Sequence, residues 1–366
     1  MPTRWSRNTN EWPNRLGGKL TTPSTVESAR IHGRGDVRVA TEPTAHPGPN
    51  EVMVRVTAVG LCGSDLHWFE EAGIGDAVLS RPLILGHEIG GVIADGPRAG
   101  QRVAVDPAIN CQKCESCRTG HANTCLAMPF AGHGTTDGGL RTYMSWPERL
   151  LTPVPDGIGD DEIAVLEPLG VALHAADLGR VAIGGRAGVY GCGPIGLLLI
   201  QALRAQGITS IVATDTLAHR AAAAKSMGAT DVFVVDDDPG RDYTAERRAA
   251  REWPVDVAFE VSGSDAALSD AIASVNAVGR VVLVGIPRGD RTKFDAAAAR
   301  RKELSLLQGR RMQASDLPRA AELAAAGSVD LGSVITHRFP LSEAPEAFEV
   351  LAERRGVKII VKPSPD

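Results

Sequence analysis

The feature that most constrains the fold is an alternation of predicted strands and helices that begins near residue 185. Apolar strands are predicted at Ala187–Tyr190, Ser210–Thr214, Asp231–Val235, Val255–Val261, Arg280–Gly285 and Leu304–Leu307. The segments Gly196–Gln206 and His219–Met227, between the first three strands, have helical patterns. Strands joined by helices in this way run parallel, and the helices cover both faces of the sheet. The sequence therefore predicts an α/β fold with a doubly wound parallel sheet that begins near residue 185.

The first predicted strand leads into a G-x-G-x-x-G motif, Gly191-Cys192-Gly193-Pro194-Ile195-Gly196, which opens a predicted helix. Gly191 permits a tight turn, Gly193 lets the backbone approach a pyrophosphate, and Gly196 lets the helix pack closely on the strand. The free N–H groups at the start of that helix favour phosphates. Asp215 ends the second predicted strand, where a carboxylate binds the ribose hydroxyls. The G-x-G-x-x-G motif, its place between a strand and a helix, and Asp215 together predict a dinucleotide site. The alternative is a glycine turn with no ligand and an aspartate that only caps a helix.

The same region predicts the type of cofactor. A carboxylate at Asp215 accepts a hydrogen bond from a ribose 2′-hydroxyl and repels a 2′-phosphate, so NAD is predicted. Arg220 either stacks on the adenine or is a surface charge, and it is the only nearby cation that would favour NADP. The predicted cofactor-binding residues are Gly191, Gly193, Pro194, Ile195, Gly196, Asp215 and Arg220.

The preceding part of the chain, from about residue 28 to residue 145, is predicted to be rich in β-structure. Runs such as Glu51–Val59 and Arg102–Val105 alternate apolar and polar residues, with Gly and Pro between the runs. This pattern indicates a compact barrel or sandwich. The first 25 residues have little periodicity and are interpreted as an N-terminal extension, with a transit peptide as the alternative.

Four of the six cysteines lie close together in the β-rich part: Cys111, Cys114, Cys117 and Cys125. Four soft ligands with no histidine suit a closed tetrahedral zinc site. Bacterial ferredoxins also begin C-x2-C-x2-C, but they continue with x3-C-P, whereas here Leu126 follows the last cysteine. The loop is therefore predicted to hold a structural zinc. Clustered thiols in a long chain also favour a reducing cytoplasm over a disulfide framework.

A second set of metal-binding residue types is scattered along the chain: Cys62, His87, Glu88 and Glu167. One thiolate, one imidazole and one or two carboxylates leave a position open for water or substrate, which is typical of catalytic zinc. A lone Cys62 or His87 is more often a buried packing residue. The spacing alone therefore leaves both interpretations open.

These motifs together resemble the medium-chain, zinc-dependent alcohol dehydrogenases, and within that family the sorbitol (polyol) dehydrogenases. The resemblance is carried by Gly60–His67, Leu85–Glu88, the four-cysteine loop, Glu167-Pro168-Leu169, Gly191–Gly196 and His337–Pro340. It implies a GroES-like β-rich catalytic domain, residues 26–175 and 309–366, into which a Rossmann NAD-binding domain, residues 176–308, is inserted. The helices predicted at Leu317–Ala326 and Pro345–Arg354 and the strand at Val357–Val361 then complete the first domain.

The resemblance also implies an activity and the roles of individual residues. Cys62 and His87 match catalytic zinc ligands, and Glu88 and Glu167 match positions that share the remaining carboxylate role, directly or through water. Ser64 and His67 match a proton relay to solvent. The implied reaction is hydride transfer between a secondary alcohol, preferably a polyol or sugar alcohol, and NAD, with two zinc ions per subunit in a homodimer or homotetramer.

One departure from the resemblance concerns the substrate. Sorbitol dehydrogenases carry an Arg-Tyr pair shortly after the position of Gly309, and Met312 and Gln313 match it here. Arg310 and Arg311 come just before, so a shifted register would restore a cation. A general zinc alcohol dehydrogenase that acts on simple or amino alcohols is therefore the alternative.

Other function classes fit less well. The net charge is −5 with both signs interspersed and no basic block, which disfavours a nucleic acid partner. No apolar run reaches the roughly 18 residues of a membrane helix. A non-enzymatic zinc and nucleotide sensor would be expected to lack a catalytic ligand, and zinc-free quinone reductases lack both metal sets. The predicted partner is a small-molecule alcohol.

Overall fold

The computed structural model describes residues 23–235, 245–287, 289 and 291–364, without the side chains of residues 245–248. Most of the predicted N-terminal extension, residues 1–25, lies outside the described residues. The described part contains no helix that is both long enough and apolar enough to cross a membrane.

The strands begin with a β-rich series: β1 (Thr25–Gly33), β2 (Asp36–Pro43), β3 (Glu51–Leu61), β4 (Gly73–Ile74), β5 (Ala77–Val78), β6 (Leu83–Ile84), β7 (Glu88–Ile93), β8 (Arg102–Val105), β9 (Tyr143–Pro147) and β10 (Leu151–Pro153). The later strands are β11 (Arg186–Tyr190), β12 (Ser210–Asp215), β13 (Asp231–Val234), β14 (Val255–Glu260), β15 (Val275–Leu283), β16 (Ser305–Gln308), β17 (Ile335–Pro340) and β18 (Lys358–Lys362).

The α-helices are α1 (Gly63–Glu71), α2 (Glu115–Arg118), α3 (Asp160–Gly179), α4 (Pro194–Ala205), α5 (Ala218–Ser226), α6 (Ala245–Glu252), α7 (Asp265–Ser274), α8 (Ala296–Arg301), α9 (Asp316–Ala325) and α10 (Ala344–Ala352). Short 3-10 turns lie at Ala122–Thr124, Glu148–Leu150, Gly332–Val334 and Leu341–Glu343.

The second half of the chain forms a six-stranded sheet in the order β13-β12-β11-β14-β15-β16, and all its neighbouring strands are parallel. This is the 3-2-1-4-5-6 order of a Rossmann sheet, which confirms the predicted doubly wound fold. The strand predicted at Arg280 begins five residues earlier, at Val275. The sequence pattern does not show this earlier start, because the strand is irregular there. A bulge interrupts its pairing with β14, and Val278 has a φ of 65°.

The first half of the chain, together with β17 and β18, forms a mixed sheet in the order β10-β8-β7-β3-β18-β17, with β9 also paired to β3. The last strand, β18, is antiparallel to β3, so the end of the chain returns to the β-rich part. A smaller sheet, β2-β1-β6, packs beside it, and β4 pairs with β5. The GroES-like and Rossmann parts predicted from the sequence are therefore both present.

Helix α3 lies in the core that these two parts share. Most of its residues are buried, and its apolar side chains join one cluster with residues of α4, α9 and β11. Pro168 lies inside this helix, where it cannot donate a backbone hydrogen bond to the preceding turn. Glu167 is next to it, so a buried carboxylate lies in the core between the two parts of the fold.

Candidate active site

The thiol of Cys62 lies where β3 ends and α1 begins. Cys62 is the N-cap residue of α1, with an extended backbone at φ −116° and ψ 162°. Asp65, in the first turn, accepts a hydrogen bond from the Cys62 N–H at 2.9 Å through Oδ2. This capping interaction satisfies a free N–H group at the helix start and fixes the direction in which the chain leaves the sheet.

Asp65 also orients His87. Its Oδ1 accepts a hydrogen bond from the Gly86 N–H at 3.2 Å and lies 3.6 Å from His87 Nδ1. Burial lowers the pKa of His87, but the charges and hydrogen bonds of Asp65 and Cys62 together outweigh it and raise the pKa well above its ordinary value. A carboxylate at Nδ1 leaves Nε2 to face a metal ion. Sequence reasoning missed Asp65, although its place in the first turn after an N-cap was a usable signal.

Glu88 is buried beside these residues and is ion-paired. Its two oxygens accept from Lys358 Nζ at 2.7 and 2.6 Å, and the same Nζ donates to the Leu61 carbonyl at 2.9 Å. Both charged side chains are only 1% exposed. Gly60 leaves room for this carboxylate, because a Cβ at that position would lie 2.0 Å from Glu88 Oε2. No sequence signal pointed to Lys358, which is 270 residues away.

The structure brings three of the four predicted catalytic-metal residues into one group. Ligand atoms of Cys62, His87 and Glu88 all lie within 4.8 Å of one another. Glu167 is also buried but lies outside that group, and no described cation is within ion-pair distance of it. Burial raises the pKa of Glu167 to about 7. One thiol, one imidazole and nearby carboxylates are the donor types that an open zinc site uses, so the residues fit zinc.

The two predicted relay residues lie on α1. Ser64 Oγ is 3.5 Å from His87 Nε2, at the edge of the ligand group. His67 lies almost one turn further along the helix, with its Nδ1 3.2 Å from Glu71 Oε1 and its side chain 17% exposed. Ser64 therefore lies beside the ligand group, and His67 lies nearer the solvent-exposed side of α1.

An aromatic wall lies beside the ligand group, and sequence reasoning missed its Phe130 and His133 members. The Phe130 ring is 5.2 Å from the His87 ring, and His133 makes edge contacts with Phe130 and Trp68. Arg311 lies over the same Phe130 ring, with its Cζ 4.3 Å from the ring centre. The wall depends on residues that follow the four-cysteine loop, so only the fold reveals it.

The four predicted loop cysteines converge. Their sulfur atoms lie within 4.8 Å of one another. Backbone N–H groups point at two of the sulfurs: the Cys114 N–H lies 3.4 Å from Cys111 Sγ, and the Cys111 N–H lies 3.4 Å from Cys125 Sγ. Hydrogen bonds from the Lys113 and Cys114 backbone lower the pKa of the Cys111 thiol to about 6. Thiolate-stabilising N–H groups around a closed four-sulfur set fit a structural zinc ion.

The G-x-G-x-x-G motif forms a tight turn at the start of α4. Gly191 has a φ of 111°, Gly193 caps α4, and Pro194 is its first residue with Ile195 next to it. A Cβ on Gly196 would lie 2.0 Å from the Gly191 carbonyl oxygen, so the tight packing requires glycine. The N-terminus of α4 therefore points its free N–H groups into the crevice at the carboxyl end of β11.

Asp215 and Arg220 flank this turn. Asp215 is the last residue of β12, and it accepts hydrogen bonds from the backbone N–H groups of Cys192 at 2.7 Å and Leu217 at 2.8 Å. Arg220 Nη2 donates to the Gly356 carbonyl at 3.0 Å, and its Nη1 lies 3.7 Å from where a Cβ of Gly193 would be. Arg220 is thus bonded to the loop before β18 rather than free at the surface.

Comparisons with known proteins agree with this geometry. The family model described as "Alcohol dehydrogenase GroES-like domain" matches residues 48–156, and the one described as "Zinc-binding dehydrogenase" matches residues 194–326. The sorbitol dehydrogenase of Bacillus subtilis (strain 168) is 32% identical over 352 residues, which cover 94% of this chain and 99% of that protein. The crystal structure of 2R,3R-butanediol dehydrogenase from Bacillus subtilis has a TM-score of 0.80 and 30% identity, covering 93% and 100% of the two chains.

Two further similar structures contain a nicotinamide cofactor. A short chain alcohol dehydrogenase from Escherichia coli CFT073, complexed with NADH, has a TM-score of 0.82 and 25% identity, and covers 93% of this chain and 100% of its own. A zinc-binding dehydrogenase from Sinorhizobium meliloti 1021, bound to NADP, has a TM-score of 0.81 and 28% identity with the same coverage. Both cofactors therefore occur on this fold.

Proposed function

Because the chain belongs to the family of zinc-binding alcohol dehydrogenases with a GroES-like domain, we propose that it transfers a hydride between a secondary alcohol and NAD. The favoured substrate is a polyol or sugar alcohol, and the product is a ketone. The family itself gives the coarser activity, which is zinc-dependent oxidoreduction of alcohols with a nicotinamide cofactor. The observation that carries the finer proposal is the convergence of Cys62, His87 and Glu88 within 4.8 Å.

The proposed catalytic zinc site uses Cys62 and His87 with one of the two glutamates. Glu88 accepts from Lys358 through both oxygens, whereas Glu167 is buried with no described ion-pair partner. We therefore expect Glu167 to complete the ligand set, directly or through water, and Glu88 to remain paired beside it. Zinc in such a site supplies Lewis acidity that lowers the pKa of the alcohol, and NAD supplies the hydride acceptor.

The proton leaves through side chains of α1 in this proposal. Ser64 Oγ, 3.5 Å from His87 Nε2, accepts the proton of the alcohol. His67 takes it from Ser64 and releases it at the surface, which its partial exposure allows. Asp65 keeps the His87 ring in place throughout, because it holds Nδ1 and the adjacent Gly86 backbone.

The proposed cofactor is NAD, bound at Gly191, Gly193, Pro194, Ile195 and Gly196 with its adenosine ribose at Asp215. A carboxylate at the end of β12 favours the 2′-hydroxyl and opposes a 2′-phosphate. Arg220 is already bonded to Gly356, so it is less free to neutralise a 2′-phosphate.

The Asp215→Ala variant should narrow the preference for NAD over NADP by about tenfold, since it removes an attraction for NAD and a repulsion of NADP together. Equal use of both cofactors by the wild type would contradict the role of Asp215.

A closed second zinc site at Cys111, Cys114, Cys117 and Cys125 completes the proposed metal content of two ions per subunit. We further propose a cytoplasmic homodimer or homotetramer, for which β16 is a candidate contact because it is one of the two outer strands of the parallel sheet. The domain division into 26–175 with 309–366, and 176–308, is supported by the pairing of β18 with β3.

A general zinc alcohol dehydrogenase is the second candidate, and one observation favours it. Met312 is only 4% exposed and packs against Gly170 of α3, so the position matched to the polyol-binding arginine carries no polar group.

The two candidates are distinguished by kcat/KM for sorbitol and xylitol against 2-butanol and ethanol, with NAD reduction read optically. A site built to bond several hydroxyls should prefer the polyols by a large factor. A polyol preference of only a few-fold, or a preference for simple alcohols, would favour the second candidate.

A further inference from the structure

A small cavity lies in the GroES-like part, between β1, β2 and β9. Its volume is about 130 Å³, well below the roughly 300 Å³ at which drug-sized ligand pockets begin, so it would hold only a small molecule. The lining includes Val26, Arg30, Glu42, Asp137, Arg141 and Tyr143. None of these residues belongs to the proposed zinc, cofactor or proton-relay sets, so the cavity is separate from the candidate active site.

Strand pairing shows which other side chain faces this cavity. Ser28 of β1 is bridged to Arg141 in antiparallel fashion, and directly opposed residues of antiparallel strands have their side chains on the same face. Val26 and Arg30, two positions before and after Ser28, share that face because side chains alternate along a strand. Since both line the cavity, the Ser28 side chain lies on the face that the cavity covers.

The Arg141 guanidinium has no partner within the part of the chain that the structure describes. Its Nε is buried and makes no hydrogen bond. Burial lowers the pKa of Arg141, and the carboxylates of Asp137 and Glu42 oppose this effect only through their charges. An arginine carries five N–H donors, and buried donors are normally satisfied. The donors of Arg141 are therefore available to a ligand in the cavity.

The two carboxylates beside Arg141 are already paired with Arg30. Arg30 donates to Glu42 through Nε at 2.9 Å and Nη2 at 3.1 Å, and it donates to Asp137 through Nη1 and Nη2, both at 3.1 Å. Asp137 Oδ1 also accepts from the Ile84 N–H at 3.2 Å. Arg141 is thus left as a positive charge without a bonded counter-ion.

Ser28 supplies a second unpaired donor on the same face. Its side chain is only 1% exposed, and its Oγ has no hydrogen-bond partner among the described residues. Polar side chains that are buried this deeply are rarely left without a partner. A hydroxyl and a guanidinium that face one cavity without an acceptor indicate a ligand that carries acceptor oxygens.

We propose that this cavity binds a small monocarboxylate, whose two oxygens accept from the guanidinium fork of Arg141 while the Ser28 hydroxyl donates to one of them. Planar bidentate pairing is the arrangement that a guanidinium and a carboxylate favour. The proposal adds a binding site to the molecule, and it does not depend on the proposed hydride transfer.

The other lining residues favour this class of ligand over phosphate. Glu42 and Asp137 line the same cavity, so a second negative charge on the ligand would be repelled. Val26 and Met144 give the cavity an apolar wall, which suits a short aliphatic chain on the carboxylate. Butyrate has this chemistry and is the probe for the test.

The test measures Kd by isothermal titration calorimetry for butyrate, for its uncharged analogue butyramide and for phosphate, at an ionic strength fixed with NaCl. We expect butyrate to bind roughly 10- to 100-fold more tightly than butyramide, because its oxygens gain charge-assisted hydrogen bonds. Arg141→Gln should weaken butyrate by about the same factor. Butyrate bound at the proposed catalytic zinc would be unaffected by Arg141→Gln, so the variant separates the two locations.

Arg38→Gln is the matched control. Arg38 lies on β2 and pairs with Asp36 at the surface, so this variant should keep the wild-type Kd for butyrate within about twofold. If Arg141→Gln does not fold, Ser28→Ala serves instead, because it removes only an unpaired hydroxyl, and it should weaken butyrate about 3- to 10-fold. A wild type that does not bind butyrate, equal affinity for butyrate and butyramide, unchanged binding in Arg141→Gln, or tighter binding of phosphate would overturn the proposal.

Discussion

The four-cysteine loop takes all its candidate ligands from residues 111–125, whereas the Cys62 site draws on the end of β3, the start of β7, α3, and a lysine of the last strand. The loop cysteines are mostly half-buried, while His87, Glu88 and Lys358 are buried. A local site needs only a loop that closes on itself. The Cys62 site needs the complete fold, because the charged groups of His87, Glu88 and Lys358 are buried and must be paired with each other or with neighbours inside the protein.

The largest expected effect is the loss of kcat when the Cys62 site is changed. Cys62→Ser should lower kcat roughly 10³-fold or more, because it removes a thiolate ligand of the metal that activates the alcohol. Its thermal midpoint should change by only a few degrees, since Cys62 contributes little to the core. A variant that retains a tenth of the wild-type kcat with saturating zinc would show that Cys62 is not a ligand.

The second expected effect concerns the ion pair that only the complete fold provides. Lys358→Met should lower the free energy of unfolding by about 3–5 kcal/mol, because it leaves the Glu88 charge buried without a partner. The measurement is chemical denaturation at fixed zinc concentration.

Lys362→Met is the matched control in the same strand. Lys362 pairs with Asp161 at 3.9 Å near the surface, so the loss should be about 0–1 kcal/mol. Similar losses for the two variants would mean that the Glu88–Lys358 pair contributes no more than a surface contact.

The contrast between the sites also explains what the sequence could predict. The cysteine spacing and the G-x-G-x-x-G turn are local patterns, and the predicted Rossmann strands agree with β11–β16 to within a few residues, except at the bulged start of β15. Asp65 was predictable in principle, since it occupies the first turn after an N-cap. Lys358 was not, because its contact with Glu88 depends on the pairing of β18 with β3.

The most direct test of the account is the zinc content per chain of the wild type, Cys62→Ser and Cys114→Ser, with kcat and the thermal midpoint of each. Two separate sites predict two zinc ions in the wild type and one in each variant. Cys62→Ser should lose turnover and keep its thermal midpoint, whereas Cys114→Ser should lose stability and keep most of its turnover while folded. A wild type with a single zinc ion after full loading, or both variants losing the same ion, would contradict the account.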